Sequence, residues 1–396
     1  MKTATVTWTT DNNYGTLLQA YALQQKIIQM GHENVILSDD VALKDIRSRH
    51  LKQRAPAVPD VLDSRTVSQR IWGLATHPKR LRRVLTAHTD AGKYERPYHA
   101  VQEKCDEFRN HDLLISELST VPRKCALDHL YDAFVCGSDQ IWSVLARRIH
   151  PYYFLQFTGN EKIAYAPSMG TTNLSLEELE IYRQYLSEFD SISVREKCSS
   201  SQLSDLLGRA VPDVADPTLL HTPQFWKEFA SDPVVPRKKY LLCYFLENKP
   251  WYFSYAKKIA RKKKLKIFLI PNKIDFLNSE YLITDQDIGP REFVGLFHNA
   301  SYVLTDSYHG SIFSVLFEKG FQYLLRFAPD DPRSQNIRIQ SLFDRLGLND
   351  RIIDENMTAH LPAQMDYRKI SENRTCFQRE SEEFLRNALK HSEEVS

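Results

Sequence analysis

The sequence predicts two successive α/β domains, each a parallel sheet flanked by helices. Short β-branched or aromatic runs alternate with segments of helical spacing along most of the chain, the signature of strand–helix–strand units. At 396 residues the chain exceeds one ordinary core, so two domains of roughly 150–200 residues each are expected. The alternation pauses at VPDVADPTLL, Val211 to Leu220, where two prolines and two aspartates crowd together ahead of an aromatic segment, as at a crossover between domains.

In the first series Ala4–Trp8 (ATVTW) reads as a strand. Residues 16–30 read as a helix, with Leu17, Ala20, Tyr21, Leu23, Gln24 and Ile27 marking its spacing, and Asn34–Ser38 reads as the next strand. Residues 44–105 change character: they are rich in Arg, His and Pro, with HPKRLRR at 77–83, and read as an insertion of helices and loops. Alternation resumes with strands at 131–136, 162–166 and 191–194 and helices near 175–188 and 196–207. In the second series the strands fall at 239–246, 266–270, 301–305 and 321–327, and the helices at 251–264, 291–299, after 308 and at 336–346. The tail from about 370 to 391 carries Phe377, Phe384, Leu385 and Leu389 at amphipathic spacing and is expected to pack back on the first domain. The expected limits are 1–215, 216–350 and 351–396.

Composition excludes several classes. The chain is 42% apolar and 26% charged, an ordinary globular balance. A formal net charge of +2 gives no reason to expect nucleic acid as a partner. The six cysteines are scattered without a CxxC pair, so buried thiols are expected rather than disulfides or a zinc site. No apolar run approaches the roughly 18 residues of a membrane span, and the first residues lack a signal-peptide core, so the expected address is cytoplasmic. The basic stretch KKIARKKKLK, 257–266, together with HPKRLRR, leaves peripheral contact with an anionic membrane face open. Oligomeric state is not legible.

In open parallel sheets ligands sit outside the carboxyl ends of the strands, so motifs at such ends are the candidates. TDSYHG, 305–310, is one. Asp306 ends a strand, helix N–H groups at 309–311 favour an anion, Ser307 and Tyr308 offer hydroxyls, and His309 can move a proton near neutral pH. The competing reading is a capped helix with a histidine that bonds a neighbouring carbonyl. No G-x-S-x-G turn surrounds the serines, so a serine nucleophile is not indicated. Asn12, Asn13, Tyr14 and Gly15 form a polar strand-to-helix loop suited to sugar hydroxyls, with plain turn chemistry as the alternative. GSDQIW, 137–142, places Asp139 and Gln140 at another strand end; Asp139 could serve as base on a sugar hydroxyl, or simply cap a helix. Arg195, just past a third strand, suits a phosphate or carboxylate, or pairs with Glu196.

Taken together, NNYGTLLQAYALQ, YDAFVCGSDQIW, KIAYAPSMG, ISVRE, VADPTLL, GPREFVGLFHNASYVLTDSYHGSIFSVLFEKGF and NIRIQSLFDRLGL, in this order, resemble the polysaccharide pyruvyl transferase family. The resemblance implies two Rossmann-like domains facing across a cleft, as in GT-B glycosyltransferases. It implies transfer of pyruvate from phosphoenolpyruvate (PEP) to two hydroxyls of one sugar of an exported or cell-envelope polysaccharide or its precursor, free or lipid-linked, giving a cyclic ketal. No further cofactor or metal is expected. The family motif puts the catalytic histidine at His309 and a PEP-binding arginine at Arg195. Ser307, Tyr308, Gly310, Ser311 and Arg338 are expected at PEP, Asp139 as a second catalytic group, and Asn12 to Gly15 with Gln140 at the acceptor. Tyr308 stands where Phe is common, and the 44–105 segment matches poorly. The competing functions are a glycosyltransferase using a nucleotide sugar and a catalytically silent glycan- or partner-binding protein.

Overall fold

The computed structural model describes residues 1–54, 100–145, 149–231, 239–270, 288–328, 330–357 and 364–395. HPKRLRR, with the rest of 55–99, lies outside them. The first sheet is built of β1 (Lys2–Val6), β2 (Glu33–Leu37), β3 (Ile115–Ser116), β4 (Ala133–Cys136), β5 (Glu161–Ala164) and β6 (Ser191–Ile192). Its order is β3-β2-β1-β4-β5-β6, and every pairing is parallel. This is the doubly wound order of dinucleotide-binding folds. The second sheet holds β7 (Tyr240–Tyr244), β8 (Lys266–Ile270), β9 (Tyr302–Thr305), β10 (Phe321–Leu324) and β11 (Ile352–Ile353). Its order, β11-β10-β9-β7-β8, is also fully parallel and is the other common doubly wound order. Strands β4, β7 and β9 are buried at every position, as parallel strands covered on both faces must be.

Strand order reverses between β1 and β4 in the first sheet and between β7 and β9 in the second. The carboxyl ends of those four strands are therefore where a ligand crevice is expected. Most expected elements appear within a residue or two of their predicted limits. The two-residue edge strands β3 and β11 do not appear in the prediction, because so short a run carries no alternation to read. Part of the 44–105 segment is regular: one helix spans Asp40–Arg54 and another covers residues 100–111.

The two sheets are joined by a shared apolar core. Tyr14, at the start of the helix Tyr14–Gln29, stacks on Phe293 with ring centroids 4.8 Å apart, and its hydroxyl donates to the Ile288 carbonyl at 3.0 Å. Tyr21, Phe108, Trp226, Phe229 and Phe313 continue the contact ring against ring. Apart from the partly buried Tyr21 these rings are buried, and each fully buried ring contributes about 1.5–3 kcal/mol, so this is a firm joint. The helix Tyr367–Val395 straps across it. Ser381 Oγ accepts the Ala215 N–H at 2.8 Å, Lys26 pairs with Glu382 at 3.0 Å, and Asn373 donates to the Leu346 carbonyl at 3.3 Å.

All six cysteines are free, and Cys105, Cys136 and Cys243 are buried. Among the described residues no helix is long and apolar enough to cross a membrane, and no cluster of His, Cys, Asp and Glu could hold a metal ion.

Candidate active site between the two sheets

The turn after β9 is held by its own side chains. Asp306 accepts the N–H groups of Leu246 at 2.6 Å and Glu247 at 3.0 Å, tying the end of β9 to the end of β7. Burial raises its carboxyl to about 6, against the opposing pull of those amides and of Arg326. Thr305 Oγ1 donates to the Tyr244 carbonyl at 2.7 Å and accepts the Ser307 N–H at 3.0 Å. A Cβ on Gly310 would sit 2.5 Å from that Oγ1, so the turn admits only glycine there. Ser307 then caps the helix Tyr308–Leu316 by accepting the Gly310 N–H at 3.3 Å.

The expectation that N–H groups 309–311 face a ligand shifts by one residue. Gly310 donates to Ser307 Oγ and Ser311 donates to the Ser307 carbonyl, whereas the amides of Tyr308 and His309 have no protein acceptor among the described residues. The Ser311 hydroxyl is also committed, donating to the Ser307 carbonyl at 3.1 Å.

His309 reaches from this turn into the first lobe. Its ring packs directly on Gly15, and its Nε2 lies 3.3 Å from Asp216 Oδ2, off the line of a hydrogen bond. Asp216 is the residue the sequence reading passed over. It caps the 3-10 helix Pro217–Leu220, accepting the Thr218 N–H at 3.0 Å and its hydroxyl at 2.6 Å on Oδ1. That leaves Oδ2 for His309 and for Arg195 Nη1, 2.8 Å away. Burial works to raise the Asp216 carboxyl, but the His309 imidazole, the Arg195 guanidinium and the Thr218 hydroxyl outweigh it and hold the group well below the usual carboxylate range.

Arg195 is thus brought to His309, but not as an open anion hook. Its side chain is 1% exposed. It is ringed by Asp216, by Glu196 at 3.6 Å and by Asp139 at 3.9 Å, and it lies 4.5 Å over the Tyr308 ring.

Asp139 follows β4 in a left-handed backbone conformation, φ 58°, next to a cis Gly137–Ser138 peptide. It accepts the Thr16 hydroxyl at 2.6 Å and the Gln140 N–H at 2.9 Å. Gln140 bridges the two lobes, donating to Gln335 Oε1 at 2.8 Å.

The acceptor loop is corrected in part. Tyr14 is buried in the joint. Asn13 Oδ1 caps its helix through Gly15 and Thr16, and Asn12 Oδ1 accepts from Arg109 at 2.6 Å. Gly15 remains at the centre, as the floor under His309. Arg338 enters from the first turn of the helix Ile337–Leu346, and Arg326, just beyond β10, joins it. The Nε atoms of both are buried without a hydrogen-bond partner. Arg326 was not anticipated, because it reads as the end of an apolar strand, FQYLLRF.

This arrangement can place an anion against the amides of Tyr308 and His309 and an imidazole beside it, with two arginines nearby.

A family model described as polysaccharide pyruvyl transferase matches residues 13–321. No curated protein sequence matches the chain. Among solved structures the chain is similar to a UDP-GlcNAc 2-epimerase from Methanocaldococcus jannaschii, at 12% identity and a TM-score of 0.43, covering 94% of this chain and 91% of that one. It is similar to a UDP-GlcNAc 2-epimerase from Neisseria meningitidis bound to UDP-GlcNAc, at 11% identity and 0.42, covering 95% and 98%. It is also similar to the E. coli heptosyltransferase WaaC with ADP-2-deoxy-2-fluoro heptose, at 14% identity and 0.36, covering 94% and 100%.

Proposed function

The chain belongs to the polysaccharide pyruvyl transferase family, and from that membership together with the crevice geometry we propose that it carries pyruvate from PEP to two hydroxyls of one sugar, free or lipid-linked, releasing phosphate. The observation that carries the reading is the meeting of His309, Gly15, Asp216 and Arg195 where the order of both sheets reverses.

His309 gives a proton to C3 of the enol, leaving C2 with oxocarbenium character. One sugar hydroxyl adds to C2 and gives up its proton. The second displaces phosphate from C2, and its proton leaves with the phosphate. One hydroxyl proton therefore restores the imidazole and the other ends on phosphate, so the cycle closes. Such positioned acid–base help is typically worth about 10²–10⁴-fold. Asp216 holds the imidazole in place, and Arg195 holds Asp216. The Tyr308 and His309 amides receive part of the donor's negative charge. Asp139, bonded to Thr16, faces the first lobe's side of the crevice, where the acceptor hydroxyls enter.

The test is mass spectrometry of candidate glycans, free and lipid-linked, incubated with PEP or with nucleotide sugars. A gain of one pyruvic acid less one water, with matching phosphate release, is expected with PEP alone. A gain of a sugar from a nucleotide sugar would replace this function with glycosyl transfer.

A further inference from the structure

We propose that Arg326 and Arg338, and not Arg195, clamp the phosphate of the donor, while Arg195 acts as a positioning residue that sets His309 through Asp216. The inference rests on the PEP reading of this crevice and names which of its charges meets the leaving group.

Three carboxylates already surround the Arg195 guanidinium, at 2.8, 3.6 and 3.9 Å, and the Tyr308 ring covers its face. A multiply charged anion would have to displace Asp216 to reach it, and Asp216 is fixed by Thr218. Arg326 and Arg338 are in the opposite situation. Among the described residues neither has a carboxylate within ion-pair distance. Arg326 meets Gln335 Oε1, at 3.4 Å, and the face of Phe327 at 4.6 Å; the Nε–H groups of both are buried without an acceptor, as are Nε and Nη2 of Arg195, so it is the lack of a contacting carboxylate that sets this pair apart. Burial, with the positive charges of Arg326 and Arg195, pushes the Arg338 guanidinium down to about 10. Asp306 acts on Arg326 and Asp139 on Arg338 only from beyond ion-pair distance, and like charges gathered in a partly buried place with no carboxylate in contact are costly unless an anion completes the set.

Position supports the same occupant. Arg326 lies two residues past β10, the strand beside β9, and Arg338 is in the first turn of the following helix. Both therefore stand at the carboxyl edge that carries Tyr308 and His309. A phosphate needs several donors arranged around it, and two guanidinium forks supply that geometry. Gln335, bonded to both Arg326 and Gln140, links the clamp to the first lobe. In the proposed second step the C2–O bond to phosphate breaks with its electron pair leaving on oxygen. Charge therefore accumulates where this pair sits.

The test is calorimetric titration of the full chain with PEP, inorganic phosphate and pyruvate, using wild type, R326Q, R338Q, the charge-keeping R326K and R338K, and R195K. R326Q and R338Q are expected to weaken PEP and phosphate binding by about tenfold or more, with the lysine variants in between. R195K is expected to keep both affinities and lose kcat. Wild-type phosphate affinity in folded R326Q and R338Q would overturn the clamp, and so would loss of pyruvate binding with phosphate binding intact. Wild-type protein that binds phosphate but not PEP would remove the substrate reading and leave the clamp standing, provided R326Q still loses the phosphate. Wild-type protein that binds neither would remove both.

Discussion

The His309 ring lies so close over Gly15 that a Cβ built on the glycine would meet Nδ1 at 2.1 Å and Cγ at 2.5 Å. Gly15 sits in the first turn of the helix Tyr14–Gln29, away from the left-handed backbone conformations that favour glycine. The lost side chain is therefore explained by the histidine alone. Gly15→Ala is expected to leave the fold intact, since alanine favours a helix by about 1 kcal/mol over glycine. It pushes the imidazole off Asp216, and turnover is expected to fall about 10²-fold. Phosphate release measured beside thermal unfolding checks this. Unchanged turnover would show that the ring need not lie there.

His309→Ala removes the proposed proton donor without disturbing the cap, which belongs to Ser307, or the close-packed Gly310–Thr305 turn. Phosphate release from PEP is expected to drop by about 10²–10⁴-fold, with PEP affinity nearly unchanged. A variant that turns over at the wild-type rate would take His309 out of the mechanism.

Asp216→Asn separates positioning from stability. Arg195 would lose its nearest counter-charge inside the protein, and breaking a buried pair in this way typically costs about 3–5 kcal/mol. Glu196 and Asp139 remain near, so the lower end is expected. Turnover should fall more than PEP affinity, since the carboxylate touches His309 and Arg195 and no proposed ligand. The Asp216 carboxyl is held below its ordinary value when folded, so its stabilisation is present above about pH 4 and lost as the pH falls further. Urea unfolding of the variant should consequently show a flatter acid limb than wild type. Identical limbs would mean that Asp216 carries no such linkage.

Much of this arrangement was legible beforehand because strand-to-helix turns carry dense local signals. TDSYHG announced its cap and its glycine, and NNYGT announced its helix start. What could not be read is which side chains meet across the joint. Tyr14 looked like a ligand group because it stands in a polar loop, yet the second lobe buries it against Phe293. Arg195 looked open because it follows a strand, yet carboxylates 21 residues ahead and 56 behind close over it. Asp216 was visible only as one of the aspartates crowded at the crossover VPDVADPTLL. Its second oxygen pairs with Arg195 inside the first lobe and meets His309 only when the two sheets come together. Arg326 was hidden by apolar neighbours that mark a strand and say nothing of what its end faces.

The joint between the sheets can be probed independently of catalysis through His221. His221 follows the 3-10 helix that Asp216 caps. It is stacked 4.0 Å from Phe225, with Nε2 2.8 Å from the Ala22 carbonyl. Burial, helped by Lys26, lowers its imidazole to about 4, against the Ala22 carbonyl and Glu382. The unfolded chain binds a proton there near pH 6.5 and the folded chain does not. The stabilisation from His221 is therefore complete above about pH 6.5 and drains away as the pH falls towards 4, amounting to about 3 kcal/mol over the whole window. Asp306 runs the other way. Its carboxyl is raised to about 6, so it favours the folded state increasingly as acid is added across the same range. Wild-type stability alone would blur the two, but the difference between wild type and His221→Gln isolates the imidazole. That difference should shrink steadily from neutral pH to about pH 5 in urea titrations. A constant difference would show that the folded and unfolded chains bind the His221 proton equally, and so that burial in the joint does not lower its imidazole.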